Sequence, residues 1–191
     1  VQLATVHRSP YWELVATRQQ RATAAALAAR AAGLELPDVA DFVAGRAVTW
    51  DITGAYLRRW GALEGIPDIT PAEAGRRLAG LARRADLVHY ECYLPDFVGH
   101  GRIEETGERV LELIDGLLGG ILGHLDPADS LLVVSDHGNI EEPGHSRHTL
   151  NPVPLLVVGP AAPYAGFARD LSDVAQIILQ ALAGLSPAST M

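Results

Sequence analysis

Residues 130–139 (SLLVVSDHGN) join a short apolar run to a cluster of polar side chains. A continuous apolar run of this length predicts a β-strand that is buried on both faces. Residues 154–158 (PLLVV) repeat the pattern, and residues 86–94 (DLVHYECYL) also predict a strand. Strands of this kind occur in sheets that are covered by helices, so we expect helical segments between them.

The segments between these strands have helical signals. Residues 70–73 (TPAE) combine an N-cap threonine, a first-turn proline and a capping-box glutamate, and predict a helix to about Arg84. Residues 104–125 predict a long amphipathic helix, which its glycines weaken while permitting close packing on the sheet. Further helices are expected over 10–32, 38–44, 53–60 and 173–183, and further strands over 1–6 and 47–50. The alternation predicts an α/β fold with a mainly parallel sheet and helices on both faces.

The composition excludes several classes of protein. The 191 residues carry a formal charge of -8, and the fifteen basic residues are all arginines that occur singly or in pairs. This scatter argues against nucleic acid, which needs a clustered basic face. No apolar run approaches the roughly 20 residues that span a bilayer, which argues against a membrane partner. A single cysteine, Cys92, excludes an internal disulfide and predicts a cytoplasmic location.

Three clusters of Asp, His and Asn residues lie next to predicted strands, at 95–100, 135–139 and 148–154. In open α/β sheets, ligands bind beyond the carboxyl ends of strands. Carboxylate oxygen and imidazole nitrogen suit zinc or manganese better than calcium. Asp96 and His100 are four residues apart and would share one face of a helix. Each cluster alone is also compatible with a surface histidine or a turn; a metal site accounts for all three together.

The clusters also resemble a known family. Residues 136–139 (DHGN) followed by 148–154 (HTLNPVP) resemble the signature of the cofactor-independent phosphoglycerate mutases, and 96–100 (DFVGH) resemble the D-x-V-G-H stretch upstream of it. Residues 171–179 are similar to a helix of many alkaline phosphatase superfamily members. The resemblance covers the chain from about residue 86 to the end, and implies an alkaline-phosphatase-like fold.

The resemblance implies two divalent metal ions, manganese or zinc. Asp96, His100 and His148 would bind one ion, and Asp136 and His137 the other. Two ions stabilise both the attacking and the leaving oxygen at phosphorus. The implied activity is that of a phosphomutase (an isomerase) or a phosphomonoesterase (a hydrolase) on a phosphorylated small molecule. The alternatives are a phosphodiesterase or sulfatase-like hydrolase on the same frame, and a catalytically inactive metal-binding domain.

The same resemblance implies a further metal-binding Asp and a nucleophilic Ser or Thr from N-terminal sequence, and residues 1–85 contain no stretch of that kind. We therefore expect a C-terminal fragment whose fold is incomplete at the N-terminus and which is inactive alone. Residues 1–85 would be the tail of a cap or inserted region and the return to the core. Residues 86–191 would be the metal-binding C-terminal part of that core.

Three further residues near the clusters are candidates for substrate binding: Arg102, Arg147 and His145. An arginine can hold a phosphate through two hydrogen bonds. The alternatives are solvated charges for the two arginines and an exposed loop position for His145. Glu141 and Glu142 are expected to face solvent, and Trp50 and Tyr93 to pack in the core or against a cap.

Overall fold

The computed structural model describes residues 1–61, 66–142 and 147–184. These residues form eight α-helices, four β-strands and one 3₁₀ helix, at Ala162–Phe167. The strands are β1 (Gln2–Leu3), β2 (Val88–His89), β3 (Leu131–Val134) and β4 (Leu155–Val158). The helices are α1 (Tyr11–Ala16), α2 (Ala24–Ala31), α3 (Val39–Val43), α4 (Ala55–Arg59), α5 (Pro71–Ala82), α6 (Leu94–Gly99), α7 (Gly107–Leu122) and α8 (Asp173–Ala183).

The strands of the described residues form two separate ladders. Strands β1 and β2 are parallel, with Gln2 opposite Val88, and Thr5 continues this side with a parallel bridge to Val48. Strands β3 and β4 are antiparallel, because the chain turns back between them. The predicted mixture of helices and strands is therefore confirmed, while a parallel majority is not. The strand predicted over 86–94 is also shorter than expected, since α6 begins at Leu94.

The helix predicted over 10–32 is two helices. Helix α1 ends at Ala16, and Arg18 adopts a positive φ of 60° that interrupts the helical backbone. Helix α2 begins after Thr23, whose Oγ1 accepts a hydrogen bond of 3.1 Å from Ala26 N. Residues 11–32 contain no glycine or proline that would mark this break, so the cap formed by Thr23 is the local feature that decides where the second helix starts.

Helix α5 begins where the sequence predicts. The Thr70 side chain accepts a hydrogen bond of 3.1 Å from Glu73 N, and Pro71 occupies the first turn. The Glu73 carboxylate, which was expected to complete a capping box, instead accepts hydrogen bonds of 2.7 Å from Arg76 and 3.0 Å from Arg77. Ion pairs along the helix therefore replace one half of the predicted cap.

Two glycines allow helices α5 and α7 to pack backbone against backbone. A Cβ added to Gly75 would lie 2.1 Å from Leu117 O, and one added to Gly120 would lie 2.2 Å from Ala72 O. Both distances are too short for any side chain. The prediction that the glycines of α7 pack on the sheet is therefore wrong, because the close partner is another helix.

One hydrophobic core joins the first and the second part of the chain. Phe42 and Ile52 from the first part, and Leu94 and Val110 from the second, are fully buried in the same cluster. The buried carboxylate of Asp51 caps α4 by accepting hydrogen bonds from two backbone amides of that region. This core continues across residue 85. The division of the chain into residues 1–85 and 86–191 stays a prediction.

The β3–β4 ladder is more exposed than its apolar sequence predicts. Val134 is 40% exposed and Leu156 is 54% exposed, so neither strand is buried on both faces. Within the described part of the chain this ladder has two strands only, and the 3₁₀ helix packs against β4. None of the described helices combines the length and the apolar character that crossing a bilayer requires.

Candidate metal centre

Helix α6 positions Asp96 and His100. The helix follows β2 closely, carries Pro95 in its first turn and ends at Gly99, so that His100 is its C-cap residue. The His100 backbone amide donates a hydrogen bond of 2.9 Å to Asp96 O, which places the two side chains one turn apart. The prediction that these residues share a helical face is confirmed in geometry.

Two loops of the β3–β4 ladder position His137 and His148. Gly138 and Thr149 form an antiparallel bridge beyond the strands, and Thr149 N donates a hydrogen bond of 2.9 Å to Gly138 O. The residue before each bridge partner is a histidine. The two imidazole rings stack, with centroids 3.4 Å apart and planes inclined by 13°.

The three residues predicted for the first metal site converge. His100 Nε2 lies 3.1 Å from Asp96 Oδ1, and His148 Nε2 lies 3.3 Å from the same oxygen. The two Nε2 atoms are 3.1 Å from each other. One oxygen and two nitrogens, all capable of binding a metal, therefore form a small triangle that joins α6 to the loop before β4.

The two residues predicted for a second site lie beside this triangle. His137 Nε2 is 3.6 Å from Asp96 Oδ1 and also 3.6 Å from Asp136 Oδ1. The Asp136 side chain is 86% exposed, so its carboxylate lies on the solvent side of the cluster. The structure thus brings all five predicted ligands into one neighbourhood.

Unsatisfied polar atoms mark the centre of the cluster. Asp96 Oδ1 and His137 Nδ1 are buried, and neither makes a hydrogen bond with acceptable geometry to any described residue. Buried polar atoms are nearly always paired, so an unpaired carboxylate oxygen facing several imidazoles requires an explanation. A bound cation would satisfy that oxygen and accept the lone pairs of the neutral imidazoles.

Glu141 ties the two histidine loops together. Its carboxylate accepts hydrogen bonds from Asn139 N at 2.6 Å, from Asn151 Nδ2 at 3.0 Å, and from the Thr149 hydroxyl. The Thr149 hydrogen bond is the largest of the causes that lower the pKa of Glu141 to about 2. Glu142 adds a hydrogen bond of 2.8 Å from Asn151 Nδ2.

These contacts were missed at the level of sequence. Glu141 and Glu142 are exposed, as expected, yet both carboxylates are bound to the HTLN segment. The partners Thr149 and Asn151 stand eight and ten residues after Glu141, so their spacing is visible in the sequence. Its role could be recognised only once Gly138 and Thr149 were known to pair.

Gly99 and Asn139 join α6 to the loop after β3. A Cβ added to Gly99 would lie 1.5 Å from Asn139 Oδ1, so only glycine fits beside this amide. Asn139 is buried, and both polar atoms of its side chain have no hydrogen-bond partner among the described residues. The contact is therefore steric, and it limits how closely the loop after β3 approaches helix α6.

The candidate substrate residues are placed only in part. Arg102 lies beside the cluster, with Nη1 3.9 Å from Asp96 Oδ2 and its guanidinium 5.5 Å from the centre of the Phe97 ring. Arg147 is exposed, next to His148 in the chain. His145 lies outside the described residues. Substrate binding by these three residues stays a prediction.

The chain is similar in sequence to several curated phosphoglycerate mutases. It is 37% identical over 120 residues to the 2,3-bisphosphoglycerate-independent phosphoglycerate mutase of Roseobacter denitrificans, covering 58% of this chain and 23% of that protein. The enzymes of the same name from Syntrophotalea carbinolica and Rhodopseudomonas palustris are 31% and 34% identical, each over 64% of this chain and about a quarter of their own length.

The chain thus spans about a quarter of the length of these curated relatives. No solved structure gave a significant match. The sequence profile of the Metalloenzyme superfamily matches residues 72–184, which is more than half of the chain and includes all five predicted metal ligands. The resemblance predicted from the motifs is confirmed, and the chain belongs to the Metalloenzyme superfamily.

Proposed function

We propose that this chain carries the metal site of a divalent-metal phosphoryl-transfer enzyme, of the phosphomutase or phosphomonoesterase type. The observation that carries the proposal is the triangle of Asp96 Oδ1, His100 Nε2 and His148 Nε2, with sides of 3.1, 3.3 and 3.1 Å. Membership of the Metalloenzyme superfamily supports the use of a metal. The phosphoglycerate mutases among its relatives support phosphoryl transfer.

The dimensions of the triangle fit a first-row divalent ion. Ligand atoms bound to tetrahedral zinc at its usual distances lie about 3.3–3.6 Å apart. Neighbouring ligands of an octahedral ion with similar bond lengths lie about 2.8–3.1 Å apart. The two sides of 3.1 Å lie at the upper limit of the octahedral range, and the side of 3.3 Å lies at the lower limit of the tetrahedral range. Zinc and manganese are therefore both retained as the proposed ion.

We assign Asp136 and His137 to a second divalent ion. The exposed carboxylate of Asp136 and the nearby Nε2 of His137 are compatible with a shared ion on the solvent side of the first site. A pair of bound ions would neutralise the phosphoryl oxygens and polarise phosphorus toward attack. This set supplies two protein ligands, and the family resemblance implies that others, together with the nucleophilic Ser or Thr, come from N-terminal sequence.

The proposed substrate is a phosphorylated small molecule. Because the chain has a net charge of -8, the positive charge that attracts a phosphate must be local. Arg102, beside Asp96, is the best placed described cation, and Arg147 and His145 are the further candidates. We do not propose a nucleic acid or a membrane as a partner. A cytoplasmic location is our expectation because the chain has one cysteine.

Metal content is the first test. The tag-free chain would be dialysed against manganese or zinc and then analysed for bound metal. About one tightly bound ion per chain supports a complete Asp96, His100 and His148 site beside a second site with fewer ligands. Retention of no more metal than an Asp96→Ala variant retains would contradict the proposal.

Catalysis requires a second test, in which the metal-loaded chain and the longest gene product that contains it are assayed on phosphomonoesters, phosphodiesters and sulfate esters. We expect turnover of monoesters by the longer product and none by the 191-residue chain. Preferential turnover of diesters or sulfate esters would favour the alternative hydrolase. Tight metal binding without turnover by either protein would favour an inactive metal-binding domain.

A further inference from the structure

Folding brings four arginines from three parts of the sequence to the wall of one groove. Helix α5 contributes Arg76 and Arg77, the segment that follows it contributes Arg84, and the turn after α3 contributes Arg46. The groove has a volume of about 410 Å³, within the roughly 300–1,000 Å³ of small-molecule sites. Glu73 is the one acidic residue among the described residues that line it. The chain has a net charge of -8, so this groove is a local exception to its overall charge.

The positive charge is spread along the groove. Glu73, Arg76 and Arg77 follow one another at helical spacing and therefore share one face of α5. Arg84 follows Arg77 by seven residues, which corresponds to about 10 Å along a helix axis. A single small anion would contact only part of this charge, whereas a ligand with two anionic groups would contact more of it.

Two carboxylates hold two of the arginines in fixed orientations. Nε and Nη2 of Arg46 donate hydrogen bonds of 3.0 and 2.8 Å to Asp41 Oδ1. Nε and Nη2 of Arg76 donate hydrogen bonds of 2.7 Å to the two oxygens of Glu73. A guanidinium group has five N–H donors, so both arginines, which are half exposed, keep further donors for water or a ligand.

Arg77 and Arg84 complete the groove in different ways. The Arg77 side chain is 11% exposed, and its guanidinium donates hydrogen bonds of 3.0 Å to Glu73 Oε1 and 2.7 Å to Phe42 O. Its position is therefore set before any ligand binds. Arg84 is exposed, and its guanidinium forms no ion pair or hydrogen bond with any residue that the structure describes. The charge of Arg84 is thus available to a ligand.

The charges around the groove do not balance. Asp41 and Glu73 are the carboxylates that pair with its arginines among the described residues, and they neutralise two of the four positive charges. The excess of positive charge favours a ligand that carries at least two negative charges. Phosphate suits the remaining N–H donors better than carboxylate, because one phosphate group offers three oxygens to donors from different arginines.

We propose that this groove binds a small polyanion that carries two or more phosphate groups. Arg76 and Arg77 would bind one phosphate group, and Arg84 would bind a second near the end of α5. The volume of the groove limits the ligand to a small molecule. None of the five predicted metal ligands lines the groove, so binding here is independent of the proposed function.

The probe is pyrophosphate, and the readout is the ³¹P NMR signal of that probe as the chain is added. The 191-residue chain is dialysed without divalent metal, because phosphates bind such ions. We expect saturable binding with a dissociation constant on the order of 0.1 mM at low ionic strength, and weaker binding at higher salt. Orthophosphate should bind at least about 10-fold more weakly, because it reaches fewer arginines.

Arg84→Gln removes the arginine at the end of α5. It should weaken pyrophosphate binding about 3- to 10-fold, through loss of a charge-assisted hydrogen bond at an exposed site. Arg83→Gln is the matched control, since Arg83 is the adjacent exposed arginine, binds His124 O through Nη2 and does not line the groove. It should leave the dissociation constant unchanged.

Arg76→Gln tests the helical face of the groove. Its matched control is Arg109→Gln, because both arginines are 55% exposed and pair with a glutamate three residues away. Arg76→Gln should weaken binding about 3-fold or more, and Arg109→Gln should not. Arg102→Gln controls for phosphate binding at the metal centre and should also have no effect. Far-UV circular dichroism establishes that each variant is folded.

Saturable binding that Arg84→Gln and Arg76→Gln weaken, and that the three control variants retain, supports the proposal. Absence of saturable binding at several millimolar pyrophosphate overturns it. Equal weakening by Arg84→Gln and Arg83→Gln also overturns it, since general charge attraction would then explain the binding. A larger loss in Arg102→Gln would place the phosphate at the metal centre and not in the groove. Displacement of pyrophosphate by an equal concentration of citrate would overturn the preference for phosphate.

Discussion

The two halves of the candidate metal centre are held in place by different kinds of contact. Asp96 and His100, the helix half, lie on α6, whose first residue Leu94 is fully buried in the hydrophobic core. His137 and His148, the ladder half, lie on loops beyond β3 and β4, where the strands are partly exposed. The helix half is fixed by packing, and the ladder half by polar bonds.

This difference identifies the part of the site that single substitutions can disrupt. Buried apolar packing resists single polar substitutions on the surface, because many contacts share the free energy. The ladder half depends on few contacts, chiefly the Gly138–Thr149 bridge and the bonds of Glu141. We therefore expect changes at exposed residues to move His148 and to leave Asp96 in place.

The largest effect is expected for Asp96→Ala, because Asp96 Oδ1 is the atom that the imidazoles of both halves approach. We expect at least about a 100-fold loss of Mn²⁺ or Zn²⁺ affinity with the fold retained, measured by isothermal titration calorimetry and circular dichroism. His148→Ala should have a similar effect.

Two variants serve as controls for that loss. Asp115→Ala removes an exposed carboxylate on α7, and His145→Ala removes a histidine close to His148 in the chain. Both should retain metal. An equal loss of affinity in His145→Ala would mean that His148 is the wrong ligand.

A second prediction concerns the packing that supports the helix half. Gly120→Ala should lower the free energy of unfolding by about 1–3 kcal/mol, because its Cβ would overlap the Ala72 carbonyl of α5. Gly119→Ala, where a Cβ meets nothing within 4 Å, should raise it by up to about 1 kcal/mol through helix propensity. Urea denaturation of the two variants measures both values, and equal changes would contradict backbone contact between α5 and α7.

A third prediction concerns the bonds of the ladder half. Glu141→Gln should weaken metal affinity about 10-fold, as loss of support for a ligand commonly does. Cobalt absorption would report a changed ligand geometry. Glu142→Gln should have a smaller effect because Glu142 bonds to Asn151, whereas Glu141 also holds Asn139 and Thr149. Glu112→Gln on α7 should have no effect. Unchanged affinity in Glu141→Gln would show that the ladder half does not need this carboxylate.

The smallest effect is expected in the pH dependence of the metal-free chain. The pKa of Glu141 is about 2 in the folded state and about 4.3 in an unfolded chain. Its contribution to stability is therefore complete above pH 4.3, and is lost as the pH falls toward 2. The difference in thermal midpoint between the unmodified chain and Glu141→Gln should shrink over that interval. A difference that stays constant from pH 7 to 2 would contradict this assignment.

The sequence was sufficient for features that depend on neighbouring residues. Thr70 and Pro71 identify the start of α5 because the cap and the first turn are local. The spacing of Asp96 and His100 predicts a shared helical face, and the DHGN motif predicts polar residues at the end of β3. The family motif identified His148 as a ligand. Its contact with Asp96 could not be predicted from neighbouring residues in the sequence.

Features that depend on distant residues were missed. The partner of Gly120 is the backbone of α5, and nothing in the sequence of α7 identifies that helix. The apolar residues of β3 predict burial, but exposure depends on which elements cover the strand. The break at Arg18 was hidden because residues 11–32 contain no glycine or proline that would signal the end of a helix.

The convergence of three imidazoles on one carboxylate also affects how the protein has to be handled. Immobilised nickel resins bind proteins through clustered histidine side chains that can coordinate the same ion. The cluster described here contains such histidines, and His148 is exposed. We expect the untagged chain to be retained on such a resin and to be released by imidazole. A polyhistidine tag would compete for the same ions, so preparations for metal analysis should be made with a tag that contains no histidine.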